Sequence, residues 1–191
     1  MGKVTTLWTR QVPEVWAELE ETGQYTVKKQ YILEKNDTIS DYYLELYEWY
    51  TKAARKYIDI DEELKYPIWL SIDESLMLQP TEDTVILKVE IPEEEVLICN
   101  MEAWGYRVNY WYIPVDDEDE KRHNEEVKRY GIASEADIIS SDKGNFYPLL
   151  KRKIISSWDR VFTTRPDKMT ECAATTWRIR KEWVKEVRRY G

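Results

Sequence analysis

Arg10 ends the run VTTLWTRQ, in a polar triplet Thr9-Arg10-Gln11 that directly follows Leu7 and Trp8. A guanidinium there can hold a phosphate or carboxylate through two parallel hydrogen bonds. A surface ion pair with one of the chain's 37 acidic residues is the other reading. Near the far end of the chain stands a second pair of cations, in ATTWRIR. If residues 174–180 are extended, Thr176, Arg178 and Arg180 point to one face and Thr175, Trp177 and Ile179 to the other. Two arginines spaced this way line up against an anion, or else lace the surface with weak ion pairs worth roughly 0–1 kcal/mol each. Trp8 and Trp177 lie beside these cations and offer rings on which a nucleobase stacks. The expected ligand site is therefore Trp8, Arg10, Trp177, Arg178 and Arg180, around a nucleotide-like or other small anionic metabolite.

Other chemistries have little to work with. The single histidine, His123, sits in the charged run Asp116 to Glu126, which holds seven acids and two bases and reads as a solvated loop or helix start. One histidine leaves no histidine-based triad and no histidine-rich metal site. Cys99 and Cys172 lie in apolar stretches without C-x-x-C spacing and read as buried thiols, so no metal and no cofactor is expected. The net charge of -9 repels a polyphosphate backbone, which argues against a duplex nucleic acid partner. No apolar run approaches the roughly 20 residues that cross a bilayer. Residues 1–10 lack an apolar signal region, so no membrane partner and a cytoplasmic location are expected.

The elements that must position these residues are short and mixed. Val4 to Thr9 reads as a strand, and Pro13 to Gly23 as a helix with Val15, Trp16 and Leu19 on one face. Gln24 to Ile32 suggests a second strand. Tyr42 to Ile58 is the clearest helix, with Tyr43, Leu46, Tyr47, Tyr50, Ala53 and Ala54 at three- and four-residue steps, capped by Ser40 or Asp41. Tyr66 to Ile72, Thr84 to Ile91 and Val96 to Cys99 read as strands. Asn100 and Pro148 open helices, and Glu171 to Tyr190 begins strand-like and ends with helical spacing at Trp183, Val184 and Val187. Trp8, Trp49, Trp69, Trp104 and Trp158 fall where the pattern expects burial.

Strands that alternate, without regular β-α-β order, predict an α+β fold: one domain over residues 1–191, with a bent, largely antiparallel sheet and several packed helices. A chain of this length buries roughly 70% of its unfolded surface and needs no disulfide or metal staple.

The sequence resembles the bacterial proteins grouped as domain of unknown function 3841. LWTRQ (7–11), YEWYTKAARKYI (47–58), YPIW (66–69) and LKVEIPEEEVLIC (87–99) carry the resemblance. The segment Trp104 to Asn109, SWDRVF (157–162) and ATTWRIRKEWV (174–184) continue it in the family's order. The chain departs from the family's pattern at Arg10, at Gly105 and around Cys172 to Ala173. This resemblance implies kinship and no activity.

The layout also looks like ADP-ribosyltransferase-like folds, which clamp a dinucleotide between two small sheets. That analogy implies Arg10 on the first strand and Glu171 as a catalytic carboxylate near a late strand, with NAD as substrate. Three functions thus stand: a binding protein for a small anionic metabolite without catalysis; an NAD-using enzyme of that kind; and a protein–protein interaction module of a mobile-element defence or counter-defence system, anchored by exposed aromatic residues.

Overall fold

The β-branched and aromatic run VTTLWTRQ forms β1 (Val4–Gln11) in the computed structural model, which describes residues 2–191. Pro13 opens α1 (Pro13–Thr22), and Gly23 closes it with φ 80°, its N–H returning to the Leu19 carbonyl. A side chain at Gly23 would strain that left-handed turn. The expected second strand is only two residues long, β2 (Gln24–Tyr25). From Lys29 the chain turns into α2 (Lys29–Asn36), because KQYILEKN is mostly unbranched helix formers. The long helix is α3 (Ser40–Ala54); Ser40 and Asp41 lie inside its first turn, and Ile39 occupies the cap position without a side-chain hydrogen bond.

Strands β3 (Ile68–Ser71), β4 (Thr84–Pro92) and β5 (Leu97–Asn100) follow where alternation predicts them. Asn100 then caps α4 (Met101–Val108), accepting from the Glu102 and Ala103 N–H groups at 3.0 and 3.1 Å. After it come α5 (Asp117–Arg129), α6 (Glu135–Ser140), α7 (Pro148–Ser157) and α8 (Arg160–Thr163). The chain finishes with β6 (Cys172–Thr176), β7 (Ile179–Arg180) and β8 (Val184–Tyr190).

The fold is α+β, with a six-stranded, mostly antiparallel sheet ordered β5-β6-β3-β1-β4-β8 and a separate ribbon of β2 and β7. Two compact units make up the chain: residues through Ile98 together with Cys172–Gly191, and Cys99–Glu171. In the first, α1 packs Val15 and Leu19 against Leu7, Leu70, Leu87, Val89 and Ala174.

The C-terminal stretch corrects the helical expectation. Val89 faces Val184 and Leu87 faces Val187, with a bulge between. The extra residue puts two valines three apart on one face of a strand, and so imitates helical spacing. Lys185, Glu186, Arg188 and Arg189 charge this edge strand, which blunts edge-to-edge pairing.

The charged run is also more structured than a loop. Asp116 caps α5, accepting from the Asp119 N–H at 2.7 Å, and four acids fill the first turn, where the helix dipole favours them. His123 is 2% exposed, bonded to Glu135 at 2.9 Å and stacked on Tyr112 with ring centroids 4.1 Å apart. Asp119 accepts from the Tyr112 hydroxyl and the Val115 N–H and lies 3.5 Å from Arg160. Burial pushes the Asp119 carboxyl up, but these hydrogen bonds and the Arg160 and Arg122 charges outweigh it and hold the group below its ordinary value.

Of the tryptophans expected inside, Trp104 and Trp158 are buried, whereas Trp8, Trp49 and Trp69 are half-buried. Neither cysteine is in a disulfide. Among the described residues, no helix is long and apolar enough to cross a membrane, and no group of three or more metal-ligating side chains forms.

Candidate functional site

The expected run 174–180 is not one extended strand: Trp177 and Arg178 lie in the break between β6 and β7, and Thr176, expected on the face of Arg178, is buried. Trp177 and Ile179 are buried, while Arg178 is half-buried and Arg180 exposed. The β2–β7 ribbon pairs Gln24 with Arg180 and Tyr25 with Ile179, so Gln24 and Arg180 share its outer face. Beside this ribbon lies a polar cleft of about 260 Å³, walled by Gln24, Thr26 and Val27, by the segment Asp61 to Tyr66, and by Arg178.

Arg178 is the cleft's inner cation, its side chain 20% exposed. Its guanidinium pairs with Asp61, whose side chain is 53% exposed, and lies 3.9 Å from Glu95. Lys65 adds a second positive charge and Glu63 a negative one. The Tyr66 hydroxyl donates to Glu48 at 3.2 Å. Burial, together with the Glu48 carboxylate, pushes this phenol above its ordinary value, so it remains a donor.

One buried hydroxyl ties the two walls together. The Trp177 indole N–H donates to Thr51 Oγ1 at 2.8 Å, and the Thr51 hydroxyl donates to the Lys65 carbonyl at 2.7 Å. Thr51 is 1% exposed. The Trp177 ring stacks on Tyr50 with centroids 6.1 Å apart, and the Tyr50 hydroxyl reaches Thr175 at 2.9 Å. Trp177 thereby fixes the backbone from which Arg178 projects. Sequence reading misses Thr51, although its place on the buried stripe between Tyr47 and Ala54 marks a hydroxyl that must find partners inside.

The remaining expected residues stand elsewhere. Arg10 donates to the Gln79 carbonyl. Trp8 lies in register with Ser71 and Lys88, and the Lys88 ammonium stands 5.8 Å from its ring. Arg180 is 4.0 Å from Glu182 and covers the Trp183 ring at 5.5 Å. None of the contacts of the described residues joins Arg10 to Arg178 or Arg180. Trp177 is 3% exposed and presents no ring face to a ligand, which corrects its assignment as a stacking surface. Glu171 is exposed, in the short turn just before β6.

Residues 6–185 match the family described as domain of unknown function (DUF3841). The chain belongs to this family. In this DUF3841 protein the match covers most of β1, all of β3, β4, β5 and β6, the Arg178 cleft and the whole Cys99–Glu171 unit, and stops two residues into β8. Comparison with curated proteins and with solved structures gives no match.

Proposed function

We propose that this DUF3841 protein binds a small anionic metabolite in the Arg178 cleft, without catalysis. The observation that carries the reading is a half-buried arginine in a polar cleft of a chain whose net charge is -9. An acidic protein repels anions at long range, and in this cleft Arg178 and Lys65 stand with Asp61 and Glu63, so an anion binds by taking the place of a carboxylate on Arg178. Asp61 presents carboxylate oxygens to Arg178 from an exposed loop, and a ligand carboxylate or phosphate takes the same place. Lys65, Thr26 and Gln24 supply further charge and hydrogen-bonding groups.

Size narrows the ligand. Pockets for drug-sized molecules run from roughly 300 to 1,000 Å³. About 260 Å³ favours the phosphate and sugar of a mononucleotide, or a small carboxylate, over a whole dinucleotide such as NAD. A cytoplasmic setting is part of the proposal, supported by two cysteines outside any disulfide.

A thermal-shift screen with inorganic phosphate, nucleoside monophosphates and di- and tricarboxylates tests it. A ligand at 100 times its dissociation constant adds about 2.7 kcal/mol of stability. The expected shift appears in the wild type and in Arg10→Ala and is lost in Arg178→Ala. No shift with any of these anions, or an undiminished shift in Arg178→Ala, overturns the proposal.

A further inference from the structure

The Cys99–Glu171 unit displays an apolar surface that nothing in the Arg178 site uses. Phe146 is 80% exposed and Leu149 75%, with Ile155 at 41%. Single exposed apolar residues are ordinary, but these three fall within one ten-residue stretch of the chain. Leu149, Arg152 and Ile155 follow at three-residue steps on the outer face of α7, whose inner face buries Leu150, Ile154 and Ser157.

A tight turn carries Phe146. Gly144 is buried, and a Cβ there would lie 2.1 Å from the Ile138 carbonyl oxygen and 2.8 Å from Lys151 Cδ. Only glycine fits this close approach. The Phe146 N–H then closes on the Lys143 carbonyl at 3.0 Å and the Tyr147 N–H on Gly144 at 3.3 Å, fixing the turn that carries the ring. Beside the turn, Gly144, Pro148, Lys151, Arg152 and Ile155 line a shallow, open depression of about 400 Å³.

Charge defines the occupant. From Lys143 to Trp158 the chain has no acidic residue but has Lys143, Lys151, Arg152 and Lys153. Lys143 pairs with Asp137 and Lys153 with Glu126. Lys151 and Arg152 have no carboxylate within ion-pair distance among the described residues, and they flank the apolar side chains. We infer that this face docks an acidic amphipathic segment of a partner protein, its apolar side chains laid on the exposed Phe146, Leu149 and Ile155 and its carboxylates meeting Lys151 and Arg152.

Two uncommitted cations fall short of the roughly four to eight that draw a protein to an anionic membrane. A second copy offers the acids of α5, but Val127 is the only aliphatic residue of that helix, so it supplies no pair of apolar anchors.

The test is a random 16-residue peptide library panned on the full chain, followed by fluorescence polarisation with the best enriched peptide. Enriched sequences should combine Asp or Glu with apolar residues three or four apart. Phe146→Ala and Leu149→Ala should each weaken binding by about tenfold, and Lys151→Glu with Arg152→Glu should abolish it, with unchanged circular dichroism. The inference is overturned by peptides without acidic bias or by equal binding to Phe146→Ala. It is also overturned if no peptide is enriched; co-sedimentation with phosphatidylserine vesicles, or a concentration-dependent dimer, lost in Phe146→Ala would then identify the face's occupant as a membrane or a second copy.

Discussion

Replacing Thr51 by valine keeps the side chain's shape and removes the hydroxyl that joins the two walls of the Arg178 cleft. Two groups then lose their partner: the Trp177 indole N–H, at 2.8 Å, and the Lys65 carbonyl, at 2.7 Å. The first is buried, and a buried donor left alone costs about 1–3 kcal/mol. The second is only partly buried, so water satisfies it in part and about 1 kcal/mol is a fair share. The sum is about 2–4 kcal/mol, or a fall in Tm of roughly 4–16 °C for a chain this long. Urea denaturation followed by tryptophan fluorescence reads it directly. Thr51→Ser retains the hydroxyl and loses one methyl, so its cost should stay nearer 1 kcal/mol. A double-mutant cycle with Trp177→Phe isolates the shared bond, since phenylalanine removes the donor and leaves the Thr51–Lys65 bond in place. If Thr51→Val lies within 0.5 kcal/mol of wild type (about the noise of such cycles), or if serine costs as much as valine, the wall-tying role is refuted.

Gly144→Ala forces a methyl against the Ile138 carbonyl at 2.1 Å, a backbone atom that cannot rotate away. It should cost at least the 1–3 kcal/mol usual for overpacking, measured by denaturant titration, and a neutral result would mean that this turn yields freely. Trp158→Ala removes a ring that is 4% exposed, whose N–H reaches the Trp111 carbonyl at 2.9 Å and whose face lies 3.9 Å from the Arg107 guanidinium. A loss of about 3–5 kcal/mol is expected, and one below 1 kcal/mol would show that the stripe along α7 was misjudged. Asp119, held below its ordinary value, contributes stability that is present above the unfolded carboxyl pKa of about 3.9 and is lost as pH falls through the lower folded value. The stability gap between wild type and Asp119→Asn should therefore be full at pH 7 and close in strong acid; a gap independent of pH in equilibrium melts would contradict this.

Local pattern carried much of the fold. Alternation marks β1, β3 and β4, three- and four-residue spacing marks α3 and α7, and Pro13, Gly23, Asn100 and Pro148 punctuate the chain where their chemistry requires. Pattern failed where a tertiary partner changed the period. The bulge opposite Lys88 and Val89 gives β8 a three-residue apolar spacing, which no window of sequence separates from a helix. The acidic α5 reads as solvated because most of it is, yet the same helix turns His123 onto Tyr112 and Glu135. Burial there depends on residues 11 and 12 positions away and not on the helix's own composition.

The candidate site was legible to the extent that one strand could carry it. Arg178 and Arg180 stand outward, but Thr176, which period two puts on their face, is buried, because the chain breaks between β6 and β7; the cleft beside Arg178 also needs Gln24 to Val27 and Asp61 to Tyr66, brought in from distant parts of the chain. For Arg10, the strand position was readable and the partner was not: the Gln79 carbonyl lies 69 residues away. Trp177 is the case that needed no structure. In an extended run, neighbours face opposite ways, so an orientation that sends Arg178 toward a ligand sends Trp177 into the core. Trp177 and Arg178 cannot both contact one anion from such a strand. The arrangement found puts both residues in the break between β6 and β7, where Trp177 anchors the backbone from inside and Arg178 projects from it into the cleft.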